Sequence, residues 1–336
     1  MKPLAITMGC PVGIGPEIIL KFFTSANHAA GDRPTVVVGD PEILRWCSRE
    51  LAIPATIADW QPGDEVAPHV VPVLRPPDFL DLDQASLVWG RPDSRTGRAM
   101  ARCIETAVQL IRQQVFSGMV TCPITKKFLN EAGYAFPGHT EMLASLCESS
   151  DYAMMMAGAR LRVTLVTIHI PLHAVPRSLT PGKIDRLIDM TARSLQQDFA
   201  IKAPRLAVAA LNPHAGEEGM FGDEEEKLIR PAILRARQAG WAISGPYPAD
   251  TVFYKAVSGD FDAVVCMYHD QGLIPFKLLH FKDGVNVTIG LPIVRTSVDH
   301  GTAYDIAGKG KADPASLAAA VAMAGEIVAN RNRGAQ

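Results

Sequence analysis

The chain of 336 residues has no CxxC pair, no long block of like charge, no internal repeat and no low-complexity segment beyond a polar tail, "ANRNRGAQ". Each absence closes a class of function. The six cysteines (Cys10, Cys47, Cys103, Cys122, Cys147 and Cys266) lie far apart and mostly inside apolar runs, so reduced core-filling thiols are expected rather than a disulfide framework. Its 33 basic and 35 acidic side chains leave a formal charge of -2; spread without blocks, they mark no surface for nucleic acid or an anionic membrane. The opening "MKPLAITMGC" has one lysine, and its short apolar run breaks at Gly9 and Pro11. That is too short for a secretory or spanning segment, so cytoplasmic residence is expected.

What is present is apolar and periodic. At 48% hydrophobic residues the chain can bury a sizeable core, and its length favours two lobes. Strand-length apolar runs recur: "LAIT" at 4–7, "TVVVG" at 35–39, "MVTC" at 119–122, "LRVTLVTI" at 161–168, "RLAVAAL" at 205–211 and "FDAVVCMY" at 261–268. Helical patterns lie between several of them. In "GRAMARCIETAVQLIRQQV" (97–115), Met100, Ile104, Ala107, Val108 and Ile111 share a face. "KIDRLIDMTARSLQQDFA" and "EEEKLIRPAILRARQAG" behave alike, the second with Gly240 as a C-cap. Apolar strands alternating with helices predict an α/β architecture with a mostly parallel sheet covered on both faces. The proline- and aspartate-rich stretch from Leu51 to Trp89 is expected to hold short edge strands and loops, and the turn-rich 169–183 a hinge or lobe boundary.

Three histidines repeat one context. His169, His214 and His269 each follow a predicted buried strand, and loops beyond the carboxyl ends of parallel strands line the ligand crevice of open α/β sheets. Neutral imidazoles bind zinc, cobalt, nickel or iron and leave coordination positions open to a substrate oxygen. The alternative is that each caps a strand end or bonds a loop. Asp270 and Asp250 add carboxylates that could orient an imidazole.

Groups for an anion stand elsewhere. "FPGHTE" places His139 and Thr140 at a loop-to-helix junction, with Thr140 expected to cap the helix; Lys277, Asn286 and Arg295 follow in "PFKLL", "GVNVTIG" and "IVRTS". Together they could hold a phosphate or carboxylate, although a lone lysine or arginine usually reads as a solvated surface group. The opening "ITMGCPVGIGPEI" is not the GxGxxG dinucleotide fingerprint and is expected to form a tight strand-to-helix turn.

"ITMGCPVGIGPEI", "FPGHTE", "LNPHAGEEG", "GPYPAD", "YHDQGLIPFK" and "GVNVTIGLPIVRTSVDHGTAYDIAGKG" together resemble the 4-hydroxythreonine-4-phosphate dehydrogenase family of vitamin B6 biosynthesis, across nearly the whole chain. The resemblance implies a two-lobed α/β/α fold like that of the isocitrate and isopropylmalate dehydrogenases, with a cleft between lobes. Residues 1–140 with 290–336 would form one lobe and 141–289 the other. It implies NAD, one divalent metal per site (zinc, magnesium or cobalt) on His169, His214 and His269, and a homodimer in which His269 reaches the partner's site. Substrate contacts would fall on His139, Thr140, Lys277, Asn286 and Arg295, cofactor contacts on Asn286, Asp299 and Asp305, and proton handling on Lys277 and Asp250. The implied reaction oxidises the 3-hydroxyl of 4-phosphooxy-L-threonine and then decarboxylates the ketone to 3-amino-2-oxopropyl phosphate. Relatives acting on 4-phospho-D-threonate or 4-phospho-D-erythronate share most of the pattern, and a metal-dependent hydrolase would use the same histidines. Cys10 stands where the family usually has an acidic residue.

Overall fold

A computed structural model describes residues 1–25, 33–79, 82 and 84–334. Two compact units divide these, one comprising Met1–Asp151 with Leu291–Val328, the other Tyr152–Gly290 with the end of the chain. Along the first unit run β1 (Leu4–Thr7), α1 (Gly15–Thr24), β2 (Thr35–Val38), α2 (Pro41–Glu50), β3 (Thr56–Asp59), β4 (Val70–Leu74), α3 (Ser94–Arg112), β5 (Gly118–Thr121), α4 (Lys126–Glu131) and α5 (His139–Leu146). The second holds β6 (Ala153–Ala157), β7 (Arg162–Leu165), α6 (Val175–Ser178), α7 (Pro181–Gln197), β8 (Arg205–Ala209), α8 (Arg230–Gln238), β9 (Ala242–Tyr247), α9 (Ala249–Val257), β10 (Ala263–Cys266), α10 (His269–His280) and β11 (Val285–Ile289). The chain then returns to the first unit through β12 (Arg295–Val298), and α11 (Ala315–Gly334) follows.

In the first unit the strands lie in the order β3-β4-β2-β1-β5-β12, every neighbour parallel. Fully buried runs such as "LAIT" and "TVVV" are what a sheet covered on both faces requires. The proline-rich stretch supplies the edge, as expected: β3 is half-exposed and β4 largely buried behind it. Helix α3 starts on a capping box, Asp93 accepting from the Thr96 N–H while Thr96 Oγ1 accepts from the Asp93 N–H, and buries the face predicted for it.

The second unit has the order β11-β6-β7-β10-β8-β9. β7, β10, β8 and β9 are parallel, and β6 is antiparallel to both of its neighbours. One face of this sheet, through Val163, Leu165, Val264 and Cys266, packs on Val252 and Ala256 of α9 and on Leu273 and Phe276 of α10. On the opposite face, one residue out of phase, Thr164 Oγ1 accepts from Thr191 Oγ1 of α7 at 3.0 Å. Gly272 explains the glycine after "HDQ": a Cβ there would stand 2.8 Å from Leu165 Cδ2 and 3.1 Å from Cys266 Sγ, so only glycine lets α10 lie this close to the sheet.

Several expectations change. Segment 169–183 lies inside the second unit, where α6 and the start of α7 follow a 3-10 turn, so its turn residues mark helix starts rather than a boundary. "EEEKLIRPAILRARQAG" is not one uniform α-helix: a π-helical turn at Glu225–Ile229 precedes α8, because Pro231 has no N–H to continue an α-helical ladder. Strands β6, β9, β11 and β12 were not among the predicted runs. No helix among the described residues is long and apolar enough to cross a membrane.

Candidate active site

In the second unit β7, β10 and β8 are consecutive parallel strands, and His169, His269 and His214 all lie beyond their carboxyl ends. The loops that carry them are fastened to one another. Val166 N donates to Cys266 O at 2.9 Å, Thr167 N and Oγ1 donate to Met267 O at 3.2 and 2.8 Å, and buried Gln271 accepts from Met267 N at 2.7 Å while donating to Ala210 O at 2.6 Å. Gln271 thus ties the His269 loop to the exit of β8. The rings of His169 and His269 come to 5.7 Å between centroids.

His214 opens a run in which His214, Ala215, Gly216, Glu217 and Glu218 all have positive φ, between 44° and 82°. Left-handed backbone costs an L-residue about 1–2 kcal/mol, so such a run persists only where its surroundings hold it. Glu225 anchors the chain immediately ahead of the run. Its buried carboxylate accepts from Leu211 N and Asn212 N, both at 2.8 Å, and from Asn212 Nδ2 at 3.0 Å, and hydrogen bonds to a charged group contribute about 1.5–3 kcal/mol each. Gly216 is required beside it, since a Cβ would lie 2.8 Å from Glu225 Oε2. The "GEEG…EE" segment signals this only in hindsight, because sequence does not say which glutamate turns inward.

The donor set fits a divalent metal in its chemistry. His269 Nδ1 lies 2.7 Å from Asp270 Oδ1; donating its proton there would leave Nε2 as a lone-pair donor, the usual arrangement of a ligating histidine. Within one chain, however, no group of three His, Cys, Asp or Glu side chains is disposed to hold a metal among the described residues. The structure brings His169 and His269 together; His214 does not join them in such a group. Asp250 is exposed in the first turn of α9, and Lys277 is half-buried on α10 two turns beyond His269. Asn286, in β11, has a buried Oδ1 without a hydrogen-bond partner.

In the first unit Arg295 opens β12 as a buried cation, its Nε and Nη2 donating to Thr121 Oγ1 at 3.2 and 2.7 Å. Burial pushes its guanidinium down to about 9, with the Glu141 carboxylate pulling the other way. His139 heads α5, its Nε2 buried and without a partner. Burial, and then the Arg295 charge, hold that imidazole well below the usual histidine range, so it is neutral at pH 7. A buried cation beside a neutral imidazole nitrogen suits an incoming anion. Thr140 does not cap the helix as predicted: α5 begins two residues earlier than such a cap requires, Gly138 takes the cap position, and Thr140 lies within the first turn. Asp299 and Asp305 belong to the segment after β12, Asp299 half-buried and Asp305 exposed.

The glycine segment is a tight strand-to-helix turn, as expected. A Cβ on Gly9 (φ +72°) would meet Pro123 O at 2.5 Å, and one on Gly15 would meet Met8 O at 2.2 Å. Cys10 is buried there and accepts from the Tyr304 hydroxyl at 3.4 Å; burial raises its thiol pKa, so it is a neutral group at this position.

Residues 31–324 match the family described as "Pyridoxal phosphate biosynthetic protein PdxA". A 4-hydroxythreonine-4-phosphate dehydrogenase of Desulfosudis oleivorans is 54% identical over 327 residues, spanning 96% of this chain and 95% of that protein. The crystal structure of 4-hydroxythreonine-4-phosphate dehydrogenase from Klebsiella pneumoniae superposes with a TM-score of 0.89 at 41% identity, covering 97% of this chain and 98% of that one. A terephthalate 1,2-cis-dihydrodiol dehydrogenase from Burkholderia xenovorans stands further off, with a TM-score of 0.64 and 28% identity over 96% of this chain and 97% of that one. With a match of this extent, and relatives of this identity along almost the whole sequence, the chain belongs to the pyridoxal phosphate biosynthetic protein PdxA family.

Proposed function

We propose that this chain is a 4-hydroxythreonine-4-phosphate dehydrogenase, oxidising the 3-hydroxyl of 4-phosphooxy-L-threonine with NAD and a divalent metal, with decarboxylation to 3-amino-2-oxopropyl phosphate. The observation that carries the reading is the 54% identity to a relative bearing that name, together with three histidines beyond adjacent parallel strands. A dehydrogenase reading is favoured over a metal-dependent hydrolase because both the near and the more distant relatives are named as dehydrogenases.

His169, His214 and His269 would hold the metal, with Asp270 orienting His269; zinc, magnesium and cobalt are the candidates. When bound, the metal would polarise the hydroxyl oxygen and NAD would accept the hydride. Arg295, His139 and Thr140 would grip the phosphate, with Lys277 and Asn286 completing the substrate contacts. Phosphate binding energy then orients the reacting carbon from a distance. Asp299, Asp305 and Asn286 are assigned to the cofactor, and Lys277 and Asp250 to proton handling, since a histidine nitrogen that ligates a metal is not free to act as a base.

A homodimer belongs to this reading, with His269 of the partner subunit completing each metal site. The support is on α10 itself. Ile274, Leu278 and, one residue past the helix, Phe281 recur at helical spacing while 68%, 85% and 78% exposed. Such a stripe on the helix that begins with His269 calls for a covering surface, and a second copy seated there would bring His269 to the interface.

The test is NADH formation and carbon dioxide release measured together on 4-phosphooxy-L-threonine, 4-phospho-D-threonate and 4-phospho-D-erythronate. Both products should appear in equal amounts, fastest with the amino acid. Higher turnover on threonate or erythronate would reassign the substrate, and release of a hydrolysis product without NADH would replace the reaction class.

A further inference from the structure

The segment between β12 and α11 carries Asp299 and Asp305, yet much of it is turn rather than helix or strand. What fixes its shape is a set of contacts to the glycine turn, to Thr125 ahead of α4 and to α1. Ile14 N donates to Thr302 O at 3.2 Å, and the Tyr304 hydroxyl bonds Thr125 Oγ1 and Cys10 Sγ. Further along, Lys21 Nζ donates to Gly310 O at 2.8 Å and to Ala312 O at 2.7 Å. Its remaining proton goes to Glu17 Oε1 at 2.8 Å, and the same oxygen accepts from Ala312 N, also at 2.8 Å.

Glu17 is 0% exposed, and its other oxygen, Oε2, is buried without a hydrogen-bond partner. Lys21 is 25% exposed at its side chain. An ion pair between a buried carboxylate and a partly exposed ammonium contributes little net stability over an apolar pair of similar size, so stability alone does not account for this one. Its geometry does: three of its contacts are to backbone atoms of one turn, and the ammonium has each of its three protons placed.

We propose that Glu17 and Lys21 are positioning residues for the cofactor, a two-residue latch that sets the backbone of residues 305–312, and with it Asp305, in the conformation that binds NAD. The inference rests on the assignment of Asp299 and Asp305 to the cofactor made above. Neither residue of the latch touches the reacting atoms. Releasing it lowers the fraction of chains whose turn is competent to bind, and the apparent dissociation constant rises as the inverse of that fraction.

The experiment compares the full-length wild type with Lys21→Met, Lys21→Arg and Glu17→Gln, reading NADH affinity by fluorescence titration, kcat and KM for NAD, and amide exchange across 299–312. In Lys21→Met the competent fraction should fall to about a tenth, weakening NADH and raising KM for NAD about ten-fold while kcat stays within about two-fold. Exchange should quicken between 305 and 312 and remain unchanged in α3. Lys21→Arg, which keeps charge and donors, should restore affinity. Glu17→Gln, which keeps an acceptor for the Ala312 N–H but no charge, should fall between the two. Wild-type NADH affinity and wild-type exchange in Lys21→Met would overturn the latch. Failure of the wild-type chain itself to bind NADH would instead overturn the cofactor assignment, and the proposal with it.

Discussion

The two units present their candidate side chains in opposite ways. In the first, Arg295 is part of a strand and is buried against Thr121 of the neighbouring strand, so its position follows from sheet register. In the second, His169, His214 and His269 lie past strand ends, and their positions depend on Gln271, Thr167 and Glu225 joining one loop to the next. A strand-borne cation suits a fixed handle on the substrate, where one charged group must meet one anion. Loop-borne histidines suit a metal site, whose ligands must approach a common point from different elements.

If that contrast is right, the largest effects come from removing one member of each set. His214→Ala should lower kcat/KM by more than about 100-fold on any substrate and weaken retention of the metal. Arg295→Met should cost about 100-fold on the phosphorylated acid, the equivalent of one or two charge-assisted hydrogen bonds, and little on its dephosphorylated form. Metal analysis beside rates on both substrates separates the two, and equal losses on both acids in Arg295→Met would break the comparison.

An intermediate effect tests whether the second unit's site needs another copy. Leu278→Glu places a charge in the exposed stripe of α10 and should raise the dimer dissociation constant about ten-fold or more. Activity should fall as the protein is diluted, while the wild type holds. An unchanged dimer at every concentration, by light scattering or sedimentation, would remove this face from the interface.

The smallest effect is electrostatic and belongs to the first unit. His139 is held well below the usual histidine pKa by burial and then by Arg295, so below about pH 6.5 the unfolded chain binds a proton there that the folded chain does not. Stability therefore rises with pH through the window between the depressed folded pKa and about 6.5, by at most about 1.4 kcal/mol per pH unit. His139→Gln should flatten that part of the curve, measured by denaturant unfolding at several pH values. An unaltered slope would show that His139 is not the group responsible.

Strands rich in β-branched residues between clear turns, such as "TVVV" and "AVVC", were legible in the sequence. Those it hid are compositionally odd. β6 is "AMMMA", β9 contains Gly245 and Pro246, and β12 is "RTSV", where a buried arginine takes the place of an apolar side chain. β11, "VNVTI", alternates as a strand should, but its asparagine also reads as a ligand on a loop. The mid-chain turn cluster suggested a boundary because prolines that start helices and prolines that separate lobes look the same in one dimension.

By itself the sequence determined the α/β class, the family and the recurrence of a histidine after three apolar runs, because these depend on local composition and on spacing along the chain. Only the tertiary structure decided that the three runs are adjacent in the sheet, that Glu225 and Glu224 turn in on Asn212 just ahead of the left-handed turn at His214, and that Glu17 and Lys21 grip a turn nearly 300 residues away. Those choices depend on which backbone N–H and C=O groups are left unpaired at strand ends and turns once the sheets have formed. A buried carboxylate or ammonium is stable only where it meets such groups, and no local pattern records where they will be.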